Sequence, residues 1–274
     1  MRGHCWVVAL SWVVALTFCM AAAEQTKYPP VPRTADGKPD FTGVWQGGSN
    51  RIGTWEEANS GGGFGVAPAP ATAAAKGKKA VPPREPPPYQ PWAAKKVLEY
   101  YNRRGIDDPE AHCAPPGVPR VTTIGLFPMQ IVQTPKTIVM LYEVFHVFRV
   151  IPINATHPDD LEPTYMGDSV GHWEGDTLVV DVTSFNDKTW LGPVGSFHSE
   201  ALHVVERYTR VDYNTINYDV TMEDPNVFTK PWHTHNTIML RNGTRLREYE
   251  CQENNADMKF YDKAEKDDSS FRRK

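Results

Sequence analysis

The sequence predicts a mainly β protein that forms a single antiparallel up-and-down β-barrel of about eight to ten strands, with one N-terminal helix packed on it. From Val121 onward the chain is a series of short apolar or alternating runs of strand length. Tight turns separate these runs, which is typical of antiparallel neighbours. A glycine-rich phosphate loop and a regular exchange of strand and helix patterns are both missing from the sequence, so a nucleotide-binding α/β fold is not indicated. A long antiparallel meander protects its edges best by closing into a barrel.

The N-terminal segment Met1–Ala23 has the features of a secretory signal peptide. A short basic start precedes the apolar run Cys5–Phe18, and Ala21–Ala23 supplies the small residues of a cleavage site. The apolar run is shorter than the roughly 20 residues of a membrane-spanning helix. We therefore expect cleavage after Ala23 and a secreted or periplasmic protein without a membrane span.

Composition and length together favour one globular domain in the chain that follows the predicted signal peptide. The 274 residues are 40% hydrophobic and 11% aromatic, which is enough for a packed core. The 29 Lys and Arg residues against 33 Asp and Glu residues give a net charge of −4, so nucleic acid is not an expected partner. We expect a barrel domain over residues 24–253, interrupted by a flexible Ala/Pro/Gly-rich insertion at 61–91 and a helix at 92–104. A polar tail follows at 254–274.

The strand predictions follow from apolar alternation between turn residues. In Thr215–Glu223, apolar residues alternate with polar ones along the whole run. The dipeptide Asn242-Gly243 is typical of a two-residue hairpin and predicts that the last two strands pair. In chain order, the predicted strands are Asp40–Gln46, Met129–Gln133, Thr137–Glu143, Val144–Ile151, Met166–Trp173, Thr177–Thr183, Leu202–Val211, Thr215–Glu223, His233–Arg241 and Thr244–Cys251.

Two cysteines remain once the predicted signal peptide is removed. Cys113 and Cys251 would then lie in an oxidising compartment, which favours a disulfide that closes a loop of about 138 residues. The alternative is a pair of buried free thiols. Two cysteines are too few for a cysteine-rich zinc site.

The candidate catalytic group is a histidine–carboxylate pair. His198 lies on a loop that enters a strand, where side chains at a barrel mouth converge on a ligand. Glu206 and Asp181 are its candidate carboxylate partners in acid–base chemistry. His203 and Glu206 are an odd number of residues apart, so a regular strand points them to opposite faces. The alternative is that these residues are structural hydrogen-bonding groups.

Arg149 is the unusual member of an otherwise apolar strand face and is a fourth candidate catalytic residue. A buried arginine needs a carboxylate or an anionic ligand. The alternative interpretation is a structural ion pair with Glu143 or Glu206.

Substrate-binding candidates are the aromatic and polar residues near these groups. Trp190 is a candidate aromatic wall for an apolar ligand, although a loop tryptophan can equally cap the core. The other candidates are Phe185, Asn186, Asp168, Tyr142 and His146.

A metal site is the weaker interpretation of the histidines. His233 and His235 are two residues apart and so point to the same side of a strand, and His203 is a candidate third ligand. Two exposed histidines explain the pattern equally well. We expect neither a metal nor an organic cofactor.

Two resemblances extend this interpretation. Gly43-Val44-Trp45 resembles the G-x-W start of lipocalin-type barrels. In such barrels the tryptophan plugs the closed end and an arginine from the last strand packs on it. The resemblance implies that role for Arg245 or Arg247.

More widely, the chain resembles a family of exported, largely uncharacterised bacterial proteins. The segments that carry the resemblance are Pro32–Asp40, Pro115–Arg120, Met166–Leu178, Phe185–Leu191, Phe197–Glu200 and Cys251–Asn255. It implies secretion and a β-rich fold, and its two cysteine segments coincide with Cys113 and Cys251.

The resulting functional hypothesis is a secreted barrel that acts on a small apolar or aromatic molecule. The first hypothesis is cofactor-independent acid–base chemistry of the isomerase, cyclase or lyase type. A non-catalytic, lipocalin-like binding protein is the alternative, and a histidine-dependent metalloenzyme is the third. The sequence does not indicate an oligomeric state.

Overall fold

A computed structural model describes residues 29–47, 86–103, 106–123, 125–192 and 195–253. The predicted signal peptide, the greater part of the predicted insertion and the predicted polar tail lie outside the described residues. Among the helices of these ranges, none is long and apolar enough to cross a membrane.

Nine strands and two α-helices make up the regular structure of the described ranges. The helices are α1 (Pro91–Asn102) and α2 (Arg120–Thr123), and short 3₁₀ turns lie at Pro109–His112 and Val144–His146. The strands are β1 (Gly43–Gly47), β2 (Met129–Gln133), β3 (Thr137–Tyr142), β4 (Phe148–Pro152), β5 (Asp168–Glu174), β6 (Thr177–Thr183), β7 (His203–Arg210), β8 (Thr215–Glu223) and β9 (Trp232–Leu240).

The nine strands form one nearly closed antiparallel barrel, which confirms the predicted fold class. The strand order is β4-β3-β2-β1-β9-β8-β7-β6-β5, so each strand lies beside its neighbours in the chain and β1 joins β9. Every pair along this order is antiparallel. Strand direction therefore alternates, and with nine strands the two ends of the order, β4 and β5, must run parallel. A single bridge between Ile153 and Gly171 joins them.

The barrel interior is formed by alternate residues of each strand. In β8, Ile216, Tyr218, Val220 and Met222 are buried, as the sequence pattern predicts. At one end, which we call the closed end, Trp45 is fully buried and its ring lies 4.9 Å from the guanidinium of Arg210. The expected tryptophan–arginine pair is present, but its arginine comes from β7, and the implied role of Arg245 or Arg247 is wrong.

The predicted last strand, Thr244–Cys251, is not formed. Residues 244–250 have no regular structure, although Asn242 and Gly243 do form a turn. The reason is barrel closure. β1 pairs with β9 through Trp45–Leu240, Gln46–Met239 and Gly47–Ile238, so the edge of β9 that the last strand needs is occupied at that end.

The predicted strand Val144–Ile151 is also interrupted. Val144–His146 forms a 3₁₀ turn, in which Phe145 and His146 have φ angles of 55° and 51°. Residues with left-handed backbone cannot continue a strand. The strand therefore begins only at Phe148, and Arg149 is its first buried residue.

The opposite end of the barrel is its mouth, and α1 and the segment 106–123 cover it. We call it the open end only to distinguish it from the closed end near Trp45. α1 begins at Pro91, close to the predicted start, and ends at Asn102. It packs through Tyr100 on Trp190, with ring centroids 4.9 Å apart.

The segment 106–123 is held by two links. Arg120 donates to both carboxylate oxygens of Asp108 at 2.7 Å, and both residues are buried. Cys113 and Cys251 form the predicted disulfide. At Gly47, where β1 ends, any Cβ would lie only 2.2 Å from the carbonyl oxygen of Thr122. The chain at the mouth therefore packs directly against the end of β1, where only glycine fits.

Candidate functional site

The interior of the barrel holds a buried ion pair. Arg149 on β4 donates to Oε1 of Glu206 on β7 at 3.1 Å and to Oε2 at 2.5 Å. Both side chains are almost completely buried. Burial by itself would lower the pKa of Arg149, but the charge of Glu206 outweighs this effect and raises the pKa well above its ordinary value. This contact matches the alternative interpretation of Arg149, a structural ion pair with Glu206.

Two tyrosines complete the surroundings of Glu206. Tyr208 and Tyr218 each donate a hydroxyl hydrogen bond to Oε1, at 2.9 and 2.6 Å. Burial and the charge of Glu206 raise the pKa of both tyrosines well above the ordinary value. The carboxylate therefore accepts four hydrogen bonds at a fully buried position, as a buried charge requires.

Arg149 also ties β4 to β5, the pair that lacks a ladder. Its Nη2 and Nε donate to the hydroxyl of Ser169 at 2.9 and 3.3 Å. Nearby, the hydroxyl groups of Tyr142 and Thr122 lie 3.1 Å apart, so the chain at the mouth reaches the same polar centre. Tyr142, a candidate binding residue, is thus part of the interior, and burial raises its pKa.

His198 lies at the open end and is 2% exposed. Its Nδ1 is 2.9 Å from the carbonyl oxygen of Ser199, which can only accept. Its Nε2 is 2.6 Å from the hydroxyl of Thr189. Burial lowers the pKa of His198, which favours a neutral ring that donates from Nδ1 and accepts from Thr189 at Nε2.

The aromatic candidates surround His198 as packing groups. The ring of Phe185 meets the imidazole edge-on, with centroids 5.9 Å apart. Trp190 is 5% exposed and lies beneath α1. Asn186 is buried, and its side-chain oxygen accepts from the backbone N–H of Lys188 at 3.1 Å. These contacts are those of a capped barrel end.

The outer face of the barrel carries a chain of histidines and carboxylates, which we call the outer relay. His157 lies in the connection between β4 and β5. Its Nδ1 is 2.6 Å from Asp168 Oδ2, and its Nε2 is 3.0 Å from Asp181 Oδ1. Asp181 Oδ2 is in turn 2.8 Å from Nε2 of His203. All four side chains are partly exposed.

The expected pairs of His198 with Glu206 or Asp181 are not among the contacts of these groups. Val180 lies opposite Glu206 in the ladder, so Glu206 shares the inner face with Val180 and Asp181 takes the outer face. His203 is likewise outward and Glu206 inward, as the odd spacing predicts. The structure thus divides the candidate catalytic residues among the interior, the open end and the outer face.

His146, a candidate binding residue, lies outside the barrel interior. It is exposed, and its Nε2 accepts from the backbone N–H of Tyr249 at 3.1 Å. The left-handed backbone at His146 that interrupts the predicted strand places it in a turn.

The strand histidines are on the outer face of β9. His233 and His235 are exposed, with Thr221 Oγ1 at 3.0 Å and Asp219 Oδ1 at 2.6 Å as their neighbours. Across the described ranges, no group of three or more His, Cys, Asp or Glu residues is arranged to hold a metal ion.

The inner face of β9 presents polar side chains between apolar ones. Thr234 lies directly opposite Val220, and Asn236 lies opposite Tyr218. Residues directly opposite in a ladder share a face, so both polar residues point inward. Val220 and Tyr218 are 2% and 0% exposed, whereas Thr234 and Asn236 are partly exposed. Among the described residues, the inner face of β9 is therefore less completely buried at these two positions than the inner face of β8 opposite them.

Sequence reasoning missed three residues of these sites, which are Tyr218, Thr234 and His157. Alternation in β8 was a usable signal for Tyr218, since it places this residue on the inner face with Ile216. The odd spacing between His233 and Thr234 likewise separates their faces. For His157, which lies in an irregular connection, no local pattern exists.

Comparison of the chain with protein-family models, curated proteins and solved structures finds no match.

Proposed function

We propose that this barrel binds a small, largely apolar or aromatic molecule at the inner face of β9, next to Thr234 and Asn236. The observation that carries the proposal is the hydroxyl of Thr234. Its oxygen is buried and has no hydrogen-bond partner within the described ranges. A buried hydroxyl without a partner costs about 1–3 kcal/mol. A bound molecule with one polar group would supply the missing partner.

The surroundings of Thr234 favour an aromatic or apolar ligand. Trp232 precedes it by two residues on the same face and is 2% exposed. The ring of Trp232 meets that of Phe228 edge-on at 5.9 Å. Concave sites lined by aromatic side chains with few polar groups are typical of small-molecule binding.

Among the described residues, β1 lies beside only the last part of β9. β1 pairs with β9 only through Ile238–Leu240, so none of the residues of β1 lies beside Trp232–Thr237. The polar centre of Arg149 and Glu206 is reached along the same face, because Asn236 lies opposite Tyr218, which donates to Glu206. Since Glu206 balances the charge of Arg149, the interior favours a neutral ligand.

Binding of the neutral aromatic probe phenylnaphthylamine tests the proposal. We expect its fluorescence to rise on binding, and Thr234→Val to weaken the binding roughly tenfold, the effect of one lost hydrogen bond. Thr221→Val is the matched control, because Thr221 lies on the outer face of β8 beside His233. Native mass spectrometry of the purified protein tests for a ligand that is already bound. The proposal is wrong if neither a probe nor a co-purified molecule binds, or if both variants bind alike.

A second candidate function is acid–base catalysis at the outer relay. His203 Nε2 is 2.8 Å from Oδ2 of Asp181, which accepts a hydrogen bond from the Nε2–H. Nδ1 is then left to act as the base, on a side chain that is 36% exposed. The nearest further carboxylate, Glu223, is 3.9 Å from Nδ1. This pair retains the isomerase, cyclase or lyase hypothesis with Asp181 as the orienting carboxylate.

Conversion of a co-purified molecule tests this second function. We expect His203→Gln to abolish product formation, while His235→Gln preserves it. His235 is the matched control, because it too lies on the outer face and is paired with an aspartate, Asp219, at 2.6 Å. Equal conversion by both variants would contradict the catalytic role of His203.

A further inference from the structure

We propose that His157 is a proton-dependent latch that holds the parallel seam between β4 and β5 closed. This inference concerns the barrel wall and does not depend on ligand binding at β9. It rests on the weakness of the seam, on the position of His157 across it, and on the number of protons that its hydrogen bonds require.

The seam is the weakest junction in the barrel wall. β5 and β6 are joined by seven register pairs, from Asp168–Thr183 to Glu174–Thr177. β4 and β5 are joined by the single bridge of Ile153 and Gly171, in which the Asn154 N–H donates to the Gly171 carbonyl at 2.7 Å. Side chains must therefore supply much of what holds the seam together.

In the part of the chain that the structure describes, side-chain hydrogen bonds tie the seam on each of its two faces. On the inner face, Arg149 of β4 donates to Ser169 of β5 at 2.9 Å, and arginine stays protonated at any ordinary pH. On the outer face, His157 follows the bridge by four residues and contacts Asp168 of β5 and Asp181 of β6. The connection that leaves β4 is thus fastened to the two strands beyond the seam.

The outer tie needs one proton more than a neutral imidazole and two ionised carboxylates carry. An ionised carboxylate only accepts hydrogen bonds, and a neutral imidazole donates from one nitrogen only. Because both ring nitrogens face carboxylates, a second proton must lie on His157, or on one of the aspartates. Without this proton, one ring nitrogen of His157 and the carboxylate oxygen that it faces both present lone pairs. One of the two hydrogen bonds is then lost.

The latch is therefore closed at mildly acidic pH and loosened as the pH rises. Other charged or titratable groups adjoin the latch. These are His203 on β7, which shares Asp181; Glu223 on β8, which lies 3.9 Å from His203; and the exposed Asp159, Asp160 and Glu162 of the same connection.

Hydrogen exchange at the Asn154 amide, followed by NMR, tests the latch, because this amide forms the bridge across the seam. After correction for the intrinsic exchange rate, we expect its protection to be roughly tenfold higher at about pH 5.5 than at about pH 8. His157→Phe should show low protection at both pH values. In Asp168→Asn, the side-chain amide can donate to a neutral ring, so protection should be high at both.

His172→Gln is the matched control, since His172 lies on the outer face of β5 and its imidazole is 3.3 Å from Glu174 on the same strand. It should behave like the wild type. The latch is refuted if wild-type protection is the same at both pH values, or if Asp168→Asn keeps the wild-type pH dependence. The pH dependence of Asp168→Asn tests the latch even if His157→Phe does not fold.

Discussion

Arg149 on β4 and Glu206 on β7 face each other across the barrel interior and form a two-point ion pair. Their strands are not neighbours in the sheet, so the pair fixes the distance between two opposite parts of the wall. Arg149 also holds Ser169 at the β4–β5 seam, and Glu206 accepts from two tyrosines. The polar centre thus links the seam between β4 and β5 to strands β7 and β8, which are joined by a continuous ladder.

Removal of one partner of this pair should be costly. We expect Glu206→Gln to lower the free energy of unfolding by about 3–5 kcal/mol, because Arg149 would keep a buried charge without its counter-ion. Denaturant unfolding measures the loss. Glu174→Gln is the control, because Glu174 pairs with Arg207 on the exposed outer face and its loss should change stability little. Similar effects of both variants would contradict the structural role of the buried pair.

The interior tyrosines should resist ionisation in alkaline solution. Burial and the neighbouring Glu206 raise the pKa of Tyr208 and Tyr218 well above the ordinary value, and burial raises that of Tyr89 to about 12. We expect an ultraviolet titration to show that the interior tyrosines ionise only when the protein unfolds, which delays part of the tyrosine signal. Tyr218→Phe should reduce the delayed part of the signal. If all tyrosines ionise together before unfolding, the interior assignment is wrong.

The closed end of the barrel depends on the geometry of one guanidinium group. Arg210 donates to the backbone carbonyls of Asp40, Asp212 and Tyr213 while its guanidinium lies over Trp45. A lysine cannot reproduce this fork. We therefore expect Arg210→Lys to cost about 1–3 kcal/mol in thermal or denaturant unfolding.

Arg245→Lys is the control for this effect, because Arg245 is exposed. It should unfold like the wild type. A larger loss for Arg245→Lys than for Arg210→Lys would restore the arginine that the lipocalin resemblance implied.

His198 should make stability depend on pH. Burial lowers its pKa below the ordinary value of 6.5, so the unfolded chain takes up a proton before the folded protein does. The contribution of the neutral ring is fully present above about pH 6.5 and is lost as the pH falls toward the lowered pKa. We expect His198→Gln to have a flatter stability profile below pH 6.5 than His172→Gln, measured by denaturant unfolding. Parallel profiles would contradict a buried, neutral His198.

Much of the fold follows from local patterns. Alternation and turn residues predict the hairpins, and the parity of His203 and Glu206 predicts their opposite faces. The disulfide follows from the two cysteines that remain after the predicted cleavage. The position of Arg149 on an apolar face indicates that its charge needs a carboxylate or an anionic ligand, and in the structure Glu206 is that partner.

The rest depends on contacts that are distant in the chain. The Asn242-Gly243 turn is locally favourable, but β1 takes the edge of β9 that a following strand needs. Arg210 reaches Trp45 only because β7 and β1 meet at the closed end. The role of His157 arises from barrel closure with an odd number of strands, which no short segment of sequence reveals.

The most direct test of ligand binding in the interior is the stability of ligand-free Thr234→Val. Because the hydroxyl oxygen of Thr234 is buried and has no hydrogen-bond partner among the described residues, we predict that replacing it with a methyl group raises the free energy of unfolding by about 1 kcal/mol or more. The same variant should lose most of the stabilisation that a bound ligand gives the wild type. A variant that is less stable than the wild type and is stabilised equally by ligand would contradict the proposed site.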